Sequence, residues 1–193
     1  MTVDRVRKTW LILATGSATL AVASILVTHW LGLQPCHLCI FQRLLFMLIA
    51  VLALGAALLP GPGLARLVTG GLVALAAAGG TATAAYQTWL QEQPPGAVAC
   101  LGSELSPIER LVEWLGQLQP DLFLATGFCE DKALVVFGLS LVQWALLCFI
   151  LVLLTTLWSW FQGSPGADSA RRGRSKPVSA RNVDAQSAEP PAR

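Results

Sequence analysis

The sequence predicts an all-α membrane protein: a four-transmembrane-helix bundle with a short amphipathic helix in its one long polar loop. Three observations carry that expectation. Of the 193 residues, 54% are hydrophobic and only 12% are charged, against roughly 25% charged in an ordinary soluble domain. Mean hydropathy is +0.61. Apolar stretches of bilayer-spanning length recur along the chain, and the Lys and Arg residues between them sort to alternate connections.

The first stretch, residues 9–30, is long enough for a hydrocarbon core of about 30 Å. Its length, and the lack of a small-residue cleavage site, argue against a removed signal peptide. The second, residues 44–59, is short by itself. It reaches spanning length if it starts at Ile40 and Arg43 snorkels to the interface. Pro60, Gly61, Pro62 and Gly63 then end it. The third, residues 67–90, is rich in Ala and Gly, which permits close helix packing where lipid supplies no hydrophobic drive. The fourth, residues 133–158, is the most apolar. Trp30, Trp89, Trp158 and Trp160 lie near segment ends, where indoles form interfacial belts; Trp144 lies inside the fourth.

Charge assigns the sides. Arg5, Arg7 and Lys8 precede the first span, Arg66 sits between the second and third, and Arg171, Arg172, Arg174, Lys176 and Arg181 follow the fourth. The loop over residues 90–132 holds seven acidic residues and only Arg110 and Lys132 as basic ones. Because Lys and Arg favour the cytoplasmic side, both termini are expected inside and the long loop outside. Residues 1–160 read as one membrane domain and residues 161–193 as a basic tail, rich in Ser, Pro and Ala, that looks disordered. A nucleic-acid arm is the rival reading of that tail, but topology and anionic lipid already account for its charge.

Within the long loop, Ser106, Pro107 and Glu109 have the pattern of a capping box with proline in the first turn. Ile108, Leu111, Val112, Leu115 and Leu118 follow at helical spacing, with Glu109, Arg110, Glu113 and Gln117 on a more polar face. Residues 107–119 therefore read as an amphipathic helix lying on the membrane; packing on other parts of the protein is the bland alternative.

The chemistry lies in the cysteines. Cys36 and Cys39 form a CxxC after Pro35, near the start of the second span, and Cys100 and Cys129 lie in the long loop. On an oxidising outer face these pairs can be structural disulfides. The CxxC ring, however, is too small to give much loop-closure stabilisation. Its spacing and its place at a helix start suit thiol–disulfide exchange instead. Zinc is a rival, yet a second CxxC is missing. His37, between the two cysteines, can raise the local positive potential or have no special role. Arg43, four residues after Cys39, brings a cation to the same helical face. It can bind an electron-rich oxygen or act as an interfacial anchor. Cys148, within the fourth span, reads as a small hydrophobe.

These features resemble the disulfide bond formation protein B family, the DsbB-like quinone reductases of bacterial inner membranes. "PCHLCIFQR" at residues 35–43, the ordered Cys100 and Cys129, "WLQ" at 89–91 and "FGLSLVQW" at 137–144 carry the resemblance, which covers residues 10–160. It implies a periplasmic loop and a DsbA-like thiol oxidase as partner, attacking a Cys100–Cys129 disulfide at Cys100. It further implies exchange of Cys129 with Cys36, and Cys39 as the thiolate beside a ubiquinone or menaquinone, with Arg43 at the quinone site. Two departures stand out. Some members place a histidine near the quinone where this chain has Gln87 or a neighbour, and Val142 stands where proline is common. A vitamin-K-epoxide-reductase-like enzyme and a non-enzymatic assembly protein with structural disulfides are the rival functions.

Overall fold

The computed structural model describes residues 3–59, 64–94, 106–129 and 134–163. Cys100, the proline and glycine residues at 60–63 and the residues after 163 lie outside the described residues. Among the described residues, four helices are long and apolar enough to cross a membrane: α1 (Val3–Leu31), α2 (His37–Leu58), α3 (Leu64–Leu90) and α6 (Leu141–Gly163). Helix α1 packs on α2, α2 on α3, and α3 on α6. Small side chains let the helices approach. Ala53, Ala56 and Ala57 of α2 and Ala76, Ala77 and Ala84 of α3 are buried, with Ile49 and Val73 among them. Phe149 of α6 lies over Gly80 and stacks on Phe46 of α2, with ring centroids 4.0 Å apart. Large apolar side chains such as Ile12, Val51, Leu75 and Leu151 point outward. That arrangement suits lipid as the surrounding solvent, since water would penalise it.

Two boundaries near the cysteines differ from the sequence expectation. Helix α2 starts at His37, so its 22 residues are enough to span. Arg43 does not snorkel; it is 6% exposed and turned into the bundle. Helix α6 starts at Leu141, well after residue 133. Ahead of it a two-residue turn joins β1 (Val135–Val136) to β2 (Leu139–Ser140). Phe137 and Gly138 in that turn both have positive φ, the backbone that a tight hairpin of this twist requires and that glycine adopts without strain. Ser140 then caps α6: its Oγ accepts from Gln143 N–H at 3.3 Å, and Gln143 Oε1 accepts from Ser140 N–H at 2.9 Å.

The loop helix α4 (Pro107–Leu118) forms as expected, with both halves of its capping box in place. A short α5 (Pro120–Phe123) follows it. Val112 and Gly116 face the protein, where α4 packs on α2 and α5. Leu111, Trp114 and Leu118 are exposed. The helix therefore has two apolar faces, one turned to protein and one outward.

Candidate active site

Cys36 is the N-cap of α2, with extended backbone, and its sulfur accepts from Cys39 N–H at 3.3 Å. This local geometry follows from the sequence. Pro35 holds the chain extended before the helix, and one helical turn returns Cys39 beside Cys36. The Cys36 thiol donates to Cys39 Sγ at 2.8 Å. Cys36 is 2% exposed.

Cys129 arrives from the other direction. The segment after α5 runs back over the start of α2, where Thr126 and Gly127 N–H both donate to Pro35 C=O, at 3.0 and 3.2 Å. A side chain at Gly127 would run into the Gln34 carbonyl, so glycine permits this close approach. Cys129 is thereby brought beside Cys36 and the Leu38 backbone N–H. Of the three thiols, Cys36 touches both others. Its pKa is raised, first by its interaction with Cys129, then by its hydrogen bond with Cys39 and by burial. Cys129 is lowered, chiefly by its interaction with Cys36.

Arg43 sits one turn below Cys39. Its Nε donates to Ser24 Oγ at 3.0 Å, and Nη2 donates to Ser24 C=O at 3.3 Å and to Thr28 Oγ1 at 3.0 Å. Nη1 donates to Leu122 C=O at 3.2 Å. Among the described residues, these bonds engage four of the five guanidinium N–H groups. Arg43 thus ties α1 and α5 to α2. It also shares a cavity of about 260 Å³ with Cys39, between α1, α2 and the start of α6. Leu20, Val27, Phe46 and Val142 give apolar walls, and Gln42, Gln91 and Ser140 add polar groups. Such a cavity suits a flat apolar ring carrying acceptor oxygens.

Several site residues escaped the sequence reading. Ser24 and Thr28 hold Arg43; Gln42, Gln91 and Ser140 line the cavity; Cys148 lines it too. The available signal was polarity. Gln42 and Gln87 lie inside apolar spans, where an amide is expensive unless it has a partner. His37 does not line the cavity.

Fold and site together define a multi-pass membrane protein with a dithiol, one sulfur of it buried, and a third thiol held against it. Residues 6–159 match the family described as disulfide bond formation protein DsbB, and the chain belongs to that family. It is 40% identical over 144 residues to disulfide bond formation protein B of Dechloromonas aromatica (strain RCB), covering 75% of this chain and 86% of that one. The protein of the same name from Azoarcus sp. (strain BH72) is 38% identical over 146 residues, with the same coverage of 75% and 86%. That of Burkholderia pseudomallei (strain 1106a) is 34% identical over 156 residues, 79% of this chain and 88% of the relative. The family accounts for a disulfide-forming oxidoreductase built on four membrane helices.

Proposed function

We propose that this protein reoxidises a periplasmic DsbA-like dithiol oxidase and passes the two electrons to a membrane quinone. The observation that carries the reading is the position of Cys36, in contact with both Cys39 and Cys129. Exchange needs one sulfur that can be joined to either neighbour. In the proposed route a partner thiolate opens a Cys100–Cys129 disulfide at Cys100, and Cys129 leaves with the electron pair. The Cys129 thiolate attacks Cys36; that S–S bond forms, the Cys36–Cys39 bond breaks, and Cys39 becomes the thiolate.

The cavity beside Cys39 and Arg43 fits ubiquinone or menaquinone, with apolar walls for the ring and Arg43 as an N–H donor for a carbonyl oxygen. A quinone supplies a two-electron, two-proton acceptor that no side chain offers. The chain's own part is to hold the Cys39 charge near Arg43, in a largely apolar space. Charge asymmetry supports an inner-membrane orientation with both termini cytoplasmic and the cysteine loops periplasmic. The exposed Leu111, Trp114 and Leu118 support α4 lying against the outer membrane face.

The test is thiol trapping in the full-length protein. Reduced protein should lose free thiols when quinone is added. Cys100→Ser should abolish electron entry from DsbA while leaving Cys36 and Cys39 responsive to quinone. Thiols indifferent to quinone would overturn the reading, as would normal DsbA turnover by Cys100→Ser.

A further inference from the structure

Two neutral amides are buried among the sulfurs. Gln42 is 4% exposed and Gln87 is 1% exposed. Gln42 Nε2 donates to Gln87 Oε1 at 2.9 Å. Gln87 Nε2 donates to Cys36 Sγ at 3.1 Å and to Cys39 Sγ at 3.0 Å. The bond from α2 to α3 fixes which way the Gln87 amide faces: with its oxygen engaged by Gln42, its NH₂ must point at the dithiol.

An amide buried in a membrane span is costly unless its hydrogen bonds are made. A neutral thiol is a weak acceptor, and a thiolate is a strong one. The Gln87 NH₂ is therefore better satisfied when one of its two sulfurs carries charge. Cys36 is the sulfur that changes partners, so the charge left in the pair belongs on Cys39.

We propose that Gln87 is a catalytic hydrogen-bond donor that stabilises the Cys39 thiolate, and that Gln42 is the positioning residue that aims it. The step it assists is balanced. The Cys129 thiolate attacks Cys36, the Cys129–Cys36 bond forms as the Cys36–Cys39 bond breaks, and the electron pair passes to Cys39 without proton transfer. In the reverse step Cys39 attacks Cys36 and the charge returns to Cys129. Gln87 biases this exchange toward the state with charge on Cys39. An amide does not titrate, so the bias holds across the pH range in which a histidine donor would change its charge. The inference rests on the proposed exchange between Cys36, Cys39 and Cys129.

The experiment measures Cys39 alone, in full-length protein whose other four cysteines are replaced by alanine. Its rate of alkylation by iodoacetamide is followed from neutral to alkaline pH. Gln87→Met removes the donor at similar volume and without adding charge. It should lower the ratio of neutral to alkaline rates by about ten-fold, the order expected for one hydrogen bond to a charged group. Gln42→Leu, which leaves Gln87 in place but unaimed, should lower the ratio by less. The double variant should match Gln87→Met, because Gln42 acts through Gln87. A purely structural role would change the rate at all pH values together and leave the ratio unmoved. An unchanged ratio in Gln87→Met overturns the proposal, as does an unchanged ratio in Gln42→Leu should Gln87→Met fail to fold. The readout needs neither partner nor quinone. Failure of the functional reading would appear instead as wild-type thiols that ignore quinone while the alkylation ratio still responds to Gln87.

Discussion

Cys36 keeps its proton beyond the usual thiol range because it shares that proton with the Cys129 and Cys39 sulfurs, and Cys129 is held low by its interaction with Cys36. A lowered thiol loses its thiolate only as pH falls below its own depressed range. Cys129 should therefore alkylate at a lower pH than an ordinary thiol does. Cys36→Ala deletes the main donor and should move the Cys129 profile up toward ordinary cysteine, as read by mass spectrometry of alkylated peptides against pH. Arg43 gives a second residue-scale expectation. Arg43→Ala should raise the quinone concentration needed for half-maximal DsbA oxidation by about ten-fold, the order of one charge-assisted hydrogen bond. Arg43→Lys should recover part of that, since it keeps the charge and loses the planar fork. A quinone titration unaltered in Arg43→Ala would leave Arg43 as a tie between α1, α2 and Leu122.

Among the elements, the segment after α5 decides whether the third thiol reaches the pair. Its hold on Pro35 depends on Gly127, whose Cα faces the Gln34 carbonyl. Gly127→Ala should push this segment away and slow formation of the Cys36–Cys129 bond by up to about a hundred-fold, since misplacement of reacting groups by about 1 Å can cost that much. Quenched-flow trapping of the Cys36–Cys129 species checks it, and an unaltered rate would show that the segment tolerates the methyl group. Local signals made most elements legible beforehand. The capping box at Ser106 and Glu109 placed α4 closely. The start of α6 was not legible from hydropathy, because residues 134–140 are nearly as apolar as a helix yet turn through Phe137 and Gly138. The Ser140 and Gln143 pair was the local signal for that boundary.

For the whole molecule, the charge pattern makes orientation testable. An impermeant thiol reagent added to intact spheroplasts after reduction should label Cys100 nearly as fully as it does after lysis. Labelling that requires an opened membrane would reverse the proposed topology. The bundle itself is read almost directly from the chain, because spanning length and sided charge are properties of consecutive residues. By itself the sequence determined four membrane helices, the loop helix, and Cys36 beside Cys39, since one helical turn is enough to bring them together. Only the tertiary structure decided that Cys129 meets Cys36, that Gln87 faces both sulfurs, and that Arg43 turns inward to a cavity also lined by Cys148. Those contacts join residues tens of positions apart on different helices and loops. Packing between elements brings such residues together, and neither periodicity nor hydropathy along the chain records that packing.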